Sequence, residues 1–497
     1  MGIIIQQTIR NSLTTYLGIV IGIISTLLLF PIILGPEKYG LTRSIIALST
    51  ISSQLLSFGL PSAILKYLPN NEIGPEVRTK IFFKIIRPTV YLLIPYIIFF
   101  FLFRDNWLNL YDDSILLAYF FWLIIPLLIS NIAFTFLSTL ARTYYNTVFA
   151  TTLQEVVLRV LTIILLVLFY FSFIDFSQFM YLFIGAYFIN FLALLSYCYF
   201  KKIITFTRLE NKDVKLEPGL YQYSFYVFMS GFAMIAISNI DLIMVDIFKG
   251  LEFTGIYALA MYIGAVINVP RRSLSKIIHP IISHSFSIND MEHVEKVYKQ
   301  SSINQLLFSL LIFVGIVTSI NDLFFYLPSE FAEGSSVIII LGLAYLFDLA
   351  NGANSQIIIT SNFYKFDFIS SILLLILAIL LNYFLIPKFG INGAAISTAT
   401  SIFFFNSSRT LFVWYVLKIQ PFKIQTLYIL LIGIFSYLFV TYINLTTQPI
   451  ISIIIRSIII TIIYLGIAYK LKLSPEFNTT LSEFILKIRS KNTTFHS

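Results

Sequence analysis

Fourteen apolar runs of about 20 residues follow one another along this chain with short polar gaps between them. A run of that length, wound as a helix rising 1.5 Å per residue, crosses about 30 Å of hydrocarbon. Inside a bilayer every backbone N–H and C=O must find its partner within the segment, so such runs fold as helices. The predicted spans are 12–34, 42–66, 86–103, 115–141, 148–172, 177–200, 221–248, 254–281, 303–327, 335–361, 366–387, 391–417, 425–443 and 450–471. Composition agrees: charged residues are 11% of the 497 and hydrophobic ones 58%, whereas a soluble domain carries roughly 25% charge. The expected fold class is therefore all-α integral membrane, with about fourteen transmembrane helices. The first run has no small-residue cleavage site and leads into further runs, so it is expected to insert uncleaved. The stretch near 281–303 is expected to be a polar connector with room for an interfacial helix.

Basic residues set the orientation. With the N-terminus cytoplasmic, 26 of the 33 Lys and Arg residues fall on inner segments, and Lys38, Arg43, Arg104, Lys249 and Lys388 fall outside. Lys and Arg accumulate in cytoplasmic loops, so both termini are expected inside. The same rule accounts for the net charge of +9 without nucleic acid. Cys198, the single cysteine, lies in an apolar run and is expected to be a plain buried or lipid-facing thiol. No metal spacing is present, and no cofactor is expected.

A weak internal repeat divides the chain. Residues 34–48, LGPEKYGLTRSIIAL, match 249–263, KGLEFTGIYALAMYI, with Gly40 aligned to Gly255. Duplicated halves place a transport path between them. The expected organisation is an N-terminal lobe of six helices over 1–205, a cytoplasmic linker over 206–220 and a C-terminal lobe of six helices over 221–420. Two further helices over 421–472 and a basic, mobile cytoplasmic tail over 473–497 complete it.

Polar side chains inside the runs are costly unless they face protein or water. Asn11, Thr15, Gly18 and Gly22 recur along one face of span 1, and Ser49, Ser53 and Ser57 along span 2. Asn131, Thr135, Ser138 and Arg142 share a face of span 4, and Asp348, Asn351 and Ser355 one of span 10. Small and hydroxyl residues also pack helices together, yet four such stripes point to a wet cavity. Deep charge sharpens this. Arg159 lies mid-span with Glu155 four residues earlier, the spacing of an ion pair. Arg142, Arg271, Arg272, Arg409 and Lys66 lie toward the inner side, against the carboxylates Glu155, Asp241, Asp246 and Asp348. Arg456, near the outer end of span 14, is expected to snorkel to the interface. Guanidinium groups lining an inner cavity suit a phosphate or pyrophosphate, which arginine holds through two parallel hydrogen bonds. The candidate anion site is Arg142, Arg159, Arg271 and Arg272, with Arg409 and Lys66 secondary. Glu155, Asp241 and Asp348 are candidate coupling or ion-pair carboxylates.

The segments NSLTTYLGIVIG (Asn11 to Gly22), LGPEKYGL (Leu34 to Leu41), FGLPSAILKY (Phe58 to Tyr67) and IPKFGINGAAISTA (Ile386 to Ala399) together resemble bacterial polysaccharide-biosynthesis flippases. These are the Wzx-type members of the multidrug/oligosaccharidyl-lipid/polysaccharide exporter superfamily. The resemblance implies translocation of undecaprenyl-diphosphate-linked oligosaccharide across the bacterial cytoplasmic membrane by alternating access. The lipid tail would stay in the bilayer, and polysaccharide polymerase or assembly proteins would be partners. O-antigen, lipopolysaccharide or capsule are the products such flippases serve.

Two other functions compete. A multidrug exporter of the same superfamily binds cations on acids; span 1 has none between Arg10 and Glu37, while Asp241 and Asp348 keep this alternative open. A membrane polymerase or ligase would need reactive groups in a sizeable outer loop. The outer loops are short, all four histidines fall on the predicted inner side, and no nucleophile elbow, P-loop or metal motif occurs.

Overall fold

The computed structural model describes residues 2–68, 74–111, 114–144, 146–205, 216–361, 363–443 and 448–483, and every regular element among them is helical. Among the described residues, eleven helical stretches are long and apolar enough to cross a membrane, or twelve when Leu220–Lys249, bent by 44°, is counted as one span. Two of the eleven, Leu13–Ser57 and Lys365–Leu417, run for 45 and 53 residues, over twice the about 20 that one crossing needs. Each is two helices joined at a glycine with non-helical backbone: Gly35 (φ 70°, ψ 176°) and Gly390 (φ 58°, ψ −138°). The breaks fall in the gaps predicted between spans 1 and 2 and between spans 11 and 12. Gly35 precedes Pro36, whose missing N–H suits the first turn of a new helix.

Elsewhere the elements depart from the apolar runs in instructive ways. Pro75–Leu102 begins well before the predicted 86, so Arg78, Lys80 and Lys84 stand on a helix and not in a loop. Hydropathy marks where hydrocarbon ends, whereas proline after Gly74 marks where the helix begins. The predicted connector near 281–303 is largely helical: Val269–Ser287 is followed by Met291–Thr318, capped by the Asp290 carboxylate accepting from the His293 N–H at 2.9 Å. Span 10 is not continuous. Ser335–Ala350 stops and Asn354–Thr360 restarts, because Gly352 turns left-handed (φ 59°) against Ser301 and Ser302. The tail begins in packed structure: residues 475–483 are helical, Leu473 and Ser474 are buried, and the Ser474 hydroxyl donates to Asn304 at 2.6 Å. Residues 484–497, like the linker residues 206–215, lie outside the described residues.

The chain forms two compact units, Met1–Leu259 with Ile379–Ile391, and Ala260–Ala378 with Asn392–Ser497. In the first, Phe30–Ser57 packs against Ile124–Thr143 and Leu220–Lys249, around a core that includes Leu60, Ile85, Leu128 and Cys198. In the second, Met291–Thr318 is the central helix, covered by Ser335–Ala350, Ile424–Thr441 and Pro449–Lys470.

The internal repeat has a structural counterpart within the first unit. Gly250 (φ 85°, ψ 178°) takes the backbone conformation of Gly35, its partner in the repeat. A Cβ on Gly40 would stand 1.8 Å from the Leu251 carbonyl oxygen, and one on Gly255 would stand 2.1 Å from that of Pro36. Pro36 and Leu251 are themselves repeat partners, so the two turns meet reciprocally, as surfaces related by a local two-fold do. Only glycine admits backbones this close.

Candidate functional site

Three of the predicted arginines are brought to carboxylates on the membrane helices. Arg159 holds Glu155 one turn before it at 2.9 Å, as the spacing predicted, and donates a second bond to the carbonyl of Gly18. The glycine face of the first helix fits this pair: a Cβ at Gly22 would collide with the Arg159 guanidinium and one at Gly18 with the Glu155 side chain. Glu155 lies in a π-helical turn, Leu153–Val157, a geometry frequent at functional sites.

The other two pairs lie in the second unit and join separate helices. Arg271, on Val269–Ser287, binds Asp348 near the end of Ser335–Ala350. Arg409 binds Asp367 across the two limbs of Tyr364–Leu417 and lays its guanidinium over the Phe405 ring at 3.8 Å. Arg409 is within Coulomb range of both Asp348 and Arg271, so the four charges form one group. The broken helix is tied into it. Thr410 donates to Asn351 at 2.6 Å, and Asn354 donates to Asn406 at 3.3 Å. Ser355, the last of the predicted stripe, is half-buried on the helix beyond the break, so it does not share a continuous face with Asp348.

The remaining predicted cations differ. Lys66 stacks over Tyr223 at 3.9 Å and beside Tyr67. Arg142 is exposed at the end of Ile124–Thr143 and has no ion-pair partner among the described residues. Arg272 stands on Val269–Ser287, and its side chain lies outside the described residues.

The polar stripes of the first unit meet one another. Asn131 donates to the buried Ser49 at 3.2 Å, joining spans 2 and 4. Asn11 donates to Thr147 at 2.5 Å, while Thr15 bonds back to the carbonyl of Asn11. Ser53 and the buried Ser138 bond within their own helices, to the carbonyls of Thr50 and Thr135, and the Thr135 side chain is exposed. Asp241 is buried and accepts from Tyr257 at 2.9 Å and from Asn382 at 2.7 Å. Asp246, also buried, accepts from Ser44 at 2.5 Å.

Sequence reasoning missed several partners. Asp367 was assigned to no site because it sits at the start of a run, 42 residues from Arg409. Arg456, expected to snorkel, has protein partners: it binds Asp322 at 3.0 Å and the Thr318 carbonyl at 2.6 Å. A half-buried acid on a neighbouring helix supplies its partner, and only the tertiary fold brings it there. Arg78, assigned to a loop, is buried against the Tyr144 ring at 3.9 Å.

The sequence profile of one family, described as polysaccharide biosynthesis protein, matches residues 4–286, more than half of the chain. The chain belongs to that family. This member of the polysaccharide biosynthesis family is 26% identical over 196 residues to a probable low-salt glycan biosynthesis flippase, Agl15, of Haloferax volcanii, and 27% over 190 residues to a probable flippase, AglR, of the same organism. The matches cover 39% and 37% of this chain and 42% and 39% of those proteins, so the chain spans about two fifths of the curated relatives it matches. Among solved structures, the lipid II flippase MurJ in an inward closed conformation superposes with a TM-score of 0.72 at 16% identity, covering 96% of this chain and 100% of that one. An inward-facing multidrug resistance MATE transporter of the MOP superfamily gives 0.56 at 14% identity, covering 82% and 93%. These likenesses show the fold.

Proposed function

We propose that this family member is a flippase that carries undecaprenyl-diphosphate-linked oligosaccharide from the inner to the outer leaflet of the bacterial cytoplasmic membrane. The reading is carried by one combination: a polysaccharide-biosynthesis family match in a chain whose membrane helices hold Arg159, Arg271 and Arg409. A diphosphate does not cross hydrocarbon unaided at a useful rate, since desolvating its charge costs many kcal/mol. Arginine offsets that with the two-pronged bond it makes to phosphate and carboxylate alike. The headgroup residues are Arg142 and Arg159 in the first unit and Arg271 and Arg272 in the second, with Arg409 and Lys66 secondary. Asn, Ser and Thr of the stripes contact sugar, and the lipid tail remains in the bilayer. Alternating access by the expected lobes 1–205 and 221–420 carries it across, and fourteen crossings leave both termini in the cytoplasm. Asp241 is the candidate coupling carboxylate, and polysaccharide polymerase or assembly proteins receive the product.

Deleting the gene tests this. Complete lipid-linked units should accumulate on the cytoplasmic leaflet while surface polysaccharide disappears. Normal lipid-linked pools with new drug sensitivity would replace this reading with a multidrug exporter, and single units stranded on the outer face would replace it with a polymerase. At the site, alanine at Arg142, Arg159, Arg271 and Arg272 together should abolish complementation, and lysine at each should retain part of it. Full complementation by the alanine variant would remove the site assignment.

A further inference from the structure

Three of the arginines proposed to grip a phosphate, Arg159, Arg271 and Arg409, are already held by acids. We propose that Asp348 and Asp367 are resident counter-ions that occupy the guanidinium groups of Arg271 and Arg409 until an anionic phosphate displaces them. The inference rests on the headgroup reading above and extends it to two acidic residues with no role there.

Neither pair is dictated by local spacing. Asp348 is 77 residues from Arg271 and Asp367 is 42 from Arg409, so each contact exists only because the tertiary fold makes it. Arg409 is 4% exposed at its side chain and Asp367 14%, whereas Arg271 is 27% exposed and Asp348 16%. The Arg409 pair is therefore the more enclosed of the two. An unpaired guanidinium at such depth is strongly destabilising. A transporter whose site is empty for part of each cycle needs a substitute anion during that part, and a carboxylate matches phosphate in bonding geometry. Bonding capacity remains for the exchange. A guanidinium has five N–H donors, and the buried Nε of Arg409 has no acceptor. The broken helix at 351–353 lies beside Asp348, held by Thr410 and Asn406 from the limb that carries Arg409. Irregular backbone at membrane depth is tolerated where protein or a water-filled cavity surrounds it, as at transporter binding sites. Replacing one anionic acceptor by another on the same guanidinium is also close to balanced, which permits release after translocation.

The test uses the full chain in lipid nanodiscs and inorganic pyrophosphate as the probe. Asp348→Asn and Asp367→Asn should each bind pyrophosphate at least tenfold more tightly than the unmodified protein, Asp348→Glu should restore the original affinity, and Arg271→Gln should abolish binding. Asp348→Asn should also turn over more slowly, because release is retarded. If Arg271→Gln loses binding while the asparagine variants bind equally or less well, the headgroup site stands and the counter-ion role is overturned. If the unmodified protein and every variant fail to bind pyrophosphate, or bind it regardless of Arg271, the headgroup reading falls and this proposal with it. Should the asparagine variants not fold, infrared difference spectra of the unmodified protein decide: pyrophosphate should shift aspartate carboxylate bands, and their constancy would overturn the exchange.

Discussion

Arg456 shows how a single charge within the membrane is governed by its partner and not by its depth. Its side chain is 21% exposed, as is that of Asp322, which also accepts from Ser452 at 2.9 Å. Removing one member of a buried pair costs about 3–5 kcal/mol, and partial exposure reduces that, so Asp322→Asn should destabilise the protein by about 2 kcal/mol. Thermal unfolding in detergent measures this. A snorkelling Arg456 would leave the melting temperature unchanged. The same logic explains why Arg159 was legible and Arg271 was not fully so. Glu155 stands four residues from Arg159 and its bond follows from helical spacing, whereas Asp348 and Asp367 reach their arginines across separate helices.

At the scale of elements, glycine decides where long apolar runs become two helices. Gly35 and Gly250 share φ near +70° to +85° with extended ψ, a region essentially closed to other residues. Nothing lies within 4 Å of a Cβ at either position, so Gly35→Ala and Gly250→Ala should each cost about 1–3 kcal/mol through backbone strain alone. Gly40 and Gly255 act differently, through space. A Cβ there meets a backbone carbonyl that has little freedom to retreat. Gly40→Ala and Gly255→Ala should therefore each lose about 1–3 kcal/mol or more by overpacking, with similar size at the two sites. Unequal losses, as read by thermal shift, would argue against the reciprocal packing. Hydropathy located these helices closely, yet it misjudged Pro75–Leu102 and the break at Gly352. Apolarity reports the surrounding solvent, and helix ends are set by proline, glycine and caps.

For the whole molecule, the distribution of Lys and Arg makes a prediction of topology. Reporter fusions after residues 10, 142, 202 and 470 should all report a cytoplasmic position, and fusions after 104 and 249 an external one. A fusion at 470 on the opposite side from one at 10 would remove the even number of crossings and the orientation together. Family membership and fold agree with the resemblance carried by LGPEKYGL and its companions.

The sequence by itself determined the membrane helices, the positions of most of their ends, the Arg159–Glu155 pair and the family. Each follows from interactions within about 20 residues: length against hydrocarbon thickness, spacing on one helix, a local motif. Tertiary structure alone decided which carboxylate each remaining arginine meets, that Asp367 belongs to the charged group, and that the two repeated turns pack on each other through Gly40 and Gly255. The physical reason is that a charge in low dielectric takes the nearest opposite charge in space, and nearness in space is set by how whole helices pack.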